Sequence, residues 1–199
     1  MNRLRRLFAG GSPGNEQLTA TVGSLLVVLL AVEGATLFRL SSLLNVHAFV
    51  GILLIPVVVL KIASTGWRMV RYYLRGEEYV LRGPPHIALR AIVAPIVVVS
   101  TITVFGTGVA LLALDERHGT IVLLHKASFI VWLGATAVHV LAHLLDLRRA
   151  VGRRVPGVAA RAALVASSVA LGLGAAVLTL PAADHLQDGV TSQVGVDAH

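Results

Sequence analysis

The chain is predicted to be an all-α integral membrane protein, a bundle of five transmembrane helices in one domain. Three observations carry this. Of 199 residues 56% are hydrophobic and only 14% charged, with a mean hydropathy of +0.81. The apolar residues gather into five runs, each near the roughly 20 residues a spanning helix needs. The arginines fall in alternate connections between those runs.

The first run extends from about Leu18 to Phe38 and is broken only by Glu33 near its end. The second covers about Leu43 to Ala63 with Pro56 in the middle, and the third about Ala91 to Leu114 with Pro95 near its start. Each proline is placed to kink its helix, and Pro56 to make room beside the axis for a macrocycle. The fourth runs from Thr120 to about Leu145 and the fifth from about Ala162 to Leu180. Thr101, Thr103, Gly106 and Gly108 in the third, and Ser167, Ser168, Gly172 and Gly174 in the fifth, form small-residue faces where helices can approach closely. Residues 1–17 read as a cytoplasmic segment, 18–181 as the membrane domain and 182–199 as a flexible outside tail. The polar stretch from Arg75 ends in Gly83-Pro84-Pro85, which resists helix and predicts a turn or loop.

Arg3, Arg5 and Arg6 precede the first run; Arg68, Arg71, Arg75, Arg82 and Arg90 follow the second; Arg148, Arg149, Arg153, Arg154 and Arg161 follow the fourth. The opposite side receives Arg39, the Asp115-Glu116-Arg117-His118 turn and a tail with Asp184, Asp188 and Asp197. The positive-inside rule then puts the N-terminus in the cytoplasm and the C-terminus outside. A basic start before an apolar run also fits a signal peptide cleaved near Gly34 and Ala35, but the run is long for a signal. The direction of the other spans is the same either way.

The net charge of +7 reports orientation and not nucleic-acid binding, because the basic residues sit in particular loops. With no cysteine, the chain has no disulfide, no thiolate nucleophile and no thiolate-held iron–sulfur cluster. Low lysine with abundant Ala, Val, Gly and Arg points to a GC-rich bacterium and a plasma-membrane location.

His125 and His139 lie fourteen residues apart in the fourth run, and His47 and Lys61 lie fourteen apart in the second. Fourteen residues are nearly four turns, so each pair shares one side of its helix, roughly 21 Å apart along the axis. Ionisable groups in hydrocarbon are costly and usually functional, and imidazole is an axial ligand of haem iron. The second and fourth spans run in the same direction, which puts His47 and His125 at one level near the outer surface. They are therefore predicted to face each other across a b-type haem. The competing reading is an interfacial histidine bonded to a carbonyl or to water.

At the inner level, Lys61 stands where a second bis-histidine site would place a partner for His139. It either ligates iron or snorkels toward cytoplasmic water or a haem propionate. His143 continues the stripe one turn beyond His139, and either histidine could hold an inner haem, with His86 as a partner from the proline-rich loop. A zinc or non-haem iron site would need further ligands that the sequence does not place nearby. Arg71 and Arg75, within the cluster Trp67, Arg68, Arg71, Tyr72, Tyr73 and Arg75, read as interfacial anchors or as partners of propionates or a quinone head group. Lys126 has the same two readings on the outside. Glu33 is either a water-exposed boundary residue or a buried acid that exchanges protons with a quinone or bonds to His47.

The stretches His47-Ala-Phe-Val-Gly51, Leu60-Lys61-Ile62-Ala63-Ser64-Thr65-Gly66 with its Arg-Tyr-Tyr follow-up, Gly83-Pro84-Pro85, Leu124-His125-Lys126-Ala127-Ser128-Phe129 and His139-Val140-Leu141-Ala142-His143 carry a resemblance. They resemble small bacterial membrane proteins of the cytochrome b561 and ferric-reductase-like transmembrane group, over the first four spans. That resemblance implies haem ligation by His47, His125 and His139, one or two b-type haems, and electron transfer between quinone and a redox partner. The chain departs from the pattern at Lys61, and it shows no flavin- or nicotinamide-binding domain. The predicted role is an electron-transfer subunit of an oxidoreductase and not a complete enzyme. The alternative is a non-haem scaffold, partner subunit or small permease with a histidine-lined stripe.

Overall fold

A computed structural model of the chain describes residues 11–75, 89–151 and 155–196, with side chains over 11–75, 91–142 and 155–191. Among the described residues five long helices make up the fold: α1 Gly11–Thr36, α2 Leu40–Tyr73, α3 Ala94–Leu114, α4 Thr120–Val151 and α5 Val158–Val196. There is no strand among the described residues. Four stretches are long and apolar enough to cross a membrane, 11–73, 91–114, 120–142 and 158–191. The first of them is folded in two. A 3-10 turn at Leu37–Arg39 and a non-helical Leu43 with φ −124° and ψ 21° reverse the chain between α1 and α2.

The reversal is held by apolar and polar rungs. Val22 and Leu26 of α1 close on Val50, Leu54 and Val57 of α2, with Phe105, Val165 and Val169 packed around them. At the far end from the turn, the Asn15 side-chain amide donates to the Ser64 carbonyl at 3.0 Å, and Thr19 Oγ1 donates to Ser64 Oγ at 3.1 Å. Lys61 Nζ donates to the Thr19 carbonyl at 2.7 Å. Polar groups withdrawn from water have to be satisfied by the chain itself, and here a complementary set lies on each helix.

Helices α1, α2 and α5 form one packed group and α3 with α4 a second; α1 against α4 and α2 against α3 make the seam between them. The face of α5 that meets α2 carries the buried small residues Ser168, Gly172, Ala176 and Ala183. Gly172 lies directly against the backbone carbonyl of Leu53, so close that a Cβ there would overlap it. Leu53 is three residues before Pro56, whose missing N–H and ring loosen the preceding turn. The close approach beside Pro56 is made by α5. Gly174 and Gly106, predicted as packing residues alongside Gly172, face open space.

Two further expectations change. Pro95 falls in the first turn of α3, where a missing N–H leaves no bond unmade, after a π-helical turn at Leu89–Val93. The tail expected to be flexible beyond Pro181 is helical to Val196. This extension has its own contacts. Gln187 Nε2 donates to the Ser41 carbonyl, its Oε1 accepts from the Asn45 backbone N–H at 3.1 Å, and Asn45 Nδ2 donates to Asp184 Oδ1 at 3.0 Å. On the other side His185 Nδ1 lies 3.3 Å from Asp115 Oδ2 and Arg117 donates to the His185 carbonyl. The connection Gly83-Pro84-Pro85 lies outside the described residues.

Gly172→Leu is expected to force α5 off α2 and destabilise the bundle by about 1–3 kcal/mol, as overpacking does. Melting in detergent should fall by several degrees. Gly174→Leu, pointing into open space, should leave the melting temperature within a degree or so of the parent.

Candidate functional site

His47 sits in the second turn of α2, just past the chain reversal, and His125 in the second turn of α4. Both helices begin at the same end of the bundle, so the two imidazoles arrive at one level in the seam. Their ring centroids are 6.5 Å apart and the ring planes stand at 88°. An imidazole nitrogen lies about 2 Å from a first-row metal it ligates, so rings on opposite sides of one metal ion have centroids roughly 6 Å apart. The observed separation fits that arrangement.

The hydrogen bonds decide which nitrogen of each ring is available. Thr36 Oγ1 has one proton and donates it to the Glu33 carbonyl at 2.6 Å. It must then act as acceptor toward His47 Nδ1, 3.0 Å away. Glu33 Oε1 is 2.9 Å from the same Nδ1. Both neighbours accept, so the network assigns the His47 proton to Nδ1 and leaves the Nε2 lone pair for a ligand.

His125 is arranged the same way with different residues. Thr107 Oγ1 places its proton between the Thr103 carbonyl at 2.7 Å and the Val104 carbonyl at 3.1 Å, a bond that Ser and Thr in helices commonly make. It accepts from His125 Nδ1 at 3.0 Å. The same reasoning assigns the His125 proton to Nδ1 and the lone pair to Nε2. Metal-bound histidines characteristically donate their other ring nitrogen to an acceptor in this manner.

Gly108 completes the setting. A Cβ at this position would lie 3.2 Å from His125 Cε1, so the ring packs over bare backbone. At Gly51 on α2 a Cβ would lie 3.6 Å from Glu33 Oε1, an ordinary contact, so this glycine is not required by the acid. The His125 carbonyl also accepts from Ser128 Oγ at 3.0 Å. One turn further along α4, Trp132 Nε1 donates to Thr101 Oγ1 at 3.0 Å and its ring stacks on Phe129 at 6.1 Å. The Trp132–Thr101 bond ties α4 to α3 and, with the Thr107–His125 contact, fixes the rotation of the helix that presents His125.

The remaining predicted residues are not gathered here. Lys61 is bonded to the Thr19 carbonyl and belongs to the α1–α2 rungs. Arg71 and Arg75 are exposed at the opposite end of α2, Arg71 twenty-four residues from His47, or roughly 36 Å along the axis. Lys126 is exposed beside His125. His139 is half-buried, fourteen residues further along α4, roughly 21 Å from the pair. The side chain of His143 and the whole of His86 lie outside the described residues. No group of three or more His, Cys, Asp or Glu is close enough to hold a bare metal ion among the described residues.

Glu33 is a partner of His47 and not a water-exposed boundary residue, with 16% of its side chain accessible. Thr36, Thr107 and the role of Gly108 were not foreseen. A hydroxyl eleven residues before His47 and another eighteen before His125 carry no periodic signal linking them to those rings. An open groove between α3 and α4, lined by Pro95, Ile96, Val99, Thr103, Leu124 and Val131 among others, is a separate apolar feature.

Compared with protein-family profiles, curated proteins and solved structures, the chain matches none.

Proposed function

We propose that the chain is the membrane subunit of a b-type cytochrome, with five spanning helices and one haem held between His47 and His125, carrying single electrons within or across a bacterial plasma membrane. The observation that supports this best is the pair of imidazoles at 6.5 Å and 88°, each with its Nδ1 engaged. Two neighbouring imidazoles with defined tautomers are the donor set that a haem would need, since it takes only two protein ligands. The stretch 11–73 counts as two spans in this reading, with the arginine-rich connections in the cytoplasm and the histidine pair toward the outside.

Bound haem supplies a one-electron couple, and the protein supplies binding, orientation and electrostatics. His47 and His125 would hold the iron through Nε2. Glu33 and Thr36 fix the first ring, Thr107 and Gly108 the second. The apolar residues of the seam exclude water, and α5 braces α2 from behind. A quinone or a partner protein is the source or destination of the electron. Lys61, His139, Arg71 and Arg75 lie too far along the helices from the pair to touch this haem.

A dithionite-reduced minus oxidised spectrum of the purified protein should show one b-type haem per chain. His47→Ala and His125→Ala should each abolish it, while Lys61→Met and His139→Ala retain it. A colourless protein from haem-replete cells would overturn the proposal. Gly108→Val should displace the His125 ring and remove most of the haem, whereas Gly106→Val, with open space around it, should keep haem at the parent level.

A further inference from the structure

The two histidines are supported unequally. His125 Nδ1 meets a neutral hydroxyl, Thr107 Oγ1, whereas His47 Nδ1 meets the Glu33 carboxyl group at 2.9 Å. Glu33 is placed for this contact alone. It projects from the last turns of α1 toward Gly51, one turn beyond His47 on α2. Its other oxygen, Oε2, is buried without a hydrogen-bond partner among the described residues, and no lysine or arginine among them pairs with it. The acid is not spent on another ion pair or on capping a helix.

We infer that Glu33 is a positioning residue that fixes His47 as an Nε2 ligand and holds the potential of the haem low; this rests on the haem reading above. A carboxylate hydrogen-bonded to a ligating imidazole increases the basicity of the ligand, and negative charge near the iron in a medium of low dielectric favours its more positive, ferric form. Both effects act in one direction. Thr107 acts on the other ligand only through a neutral bond, so the control of potential is concentrated on the α1–α2 side of the seam.

The test is a redox titration at one fixed pH of wild type, Glu33→Gln, Glu33→Asp and Thr107→Val, with haem content and the low-spin ferric spectrum recorded for each. Glutamine keeps the accepting oxygen and removes the charge. At the wild-type midpoint the reduced-to-oxidised ratio of Glu33→Gln is expected to rise about tenfold, an upward shift of about 59 mV for one electron. Glu33→Asp should stay closer to wild type, and Thr107→Val should move less than Glu33→Gln. A haem retained in Glu33→Gln at unchanged potential would overturn this inference while leaving the haem assignment intact. If the glutamine variant does not accumulate, Glu33→Ala decides: a raised potential or a high-spin ferric spectrum supports the role, and a wild-type spectrum at the wild-type potential overturns it. A wild-type protein without haem removes both proposals together.

Discussion

A polar group placed among hydrocarbon has to find its partner on the same chain, and the helix arrangement follows from where those partners lie. Lys61 finds a carbonyl on α1, Asn15 a carbonyl on α2, Trp132 a hydroxyl on α3 and His47 a carboxyl group on α1. Each such bond joins two different helices. Apolar side chains alone would be nearly indifferent between a neighbouring helix and lipid, because lipid tails are as apolar as leucine. The polar pairs therefore select which helices touch and in what rotation, and close packing at positions such as Gly172 strengthens the choice.

The histidine pair is a product of that selection. Its two members come from opposite groups, His47 from α1–α2–α5 and His125 from α3–α4, and each is oriented by a hydroxyl of its own group. Thr36 and Thr107 do equivalent work: both have already donated their only proton to a backbone carbonyl of their own helix. A hydroxyl that has done so can only accept, and this turns an ambiguous contact into a defined tautomer. Each half of the protein thus prepares one ring, and the seam brings the rings together.

Much of this was legible in the sequence. Apolar runs near twenty residues long show where helices are, and the parity of the spans places His47 and His125 at the same end, because α2 and α4 must run the same way. The ends of helices were less legible: α2 continues ten residues past the apolar run that ended at Ala63, through Trp67 and the Arg-Tyr-Tyr segment to Tyr73, since an amphipathic continuation has no hydropathy signal. Pro181 was read as a stop, yet burial of Ala183 and Leu186 and the bonds of Gln187 offset the bond that proline removes. Glu33 was visible as an acid in an apolar run, but Thr36 and Thr107 were not, because a threonine in a membrane helix most often bonds only its own backbone. Lys61 read from its spacing as an iron ligand or a snorkelling cation, and its long stem reaches across to a carbonyl on α1.

The extension of α5 beyond Pro181 touches the start of α2 through Ser41 and Asn45 and the α3–α4 turn through Asp115 and Arg117, so it joins both groups at the end where the histidines meet. It is also the last part of the described chain to leave the ribosome. The ring-bearing helices are all made before the element that straps them together, so during synthesis the seam stays loosely joined at that end. The order of translation thus becomes an order of packing, with the final helix closing the end where the two imidazoles meet.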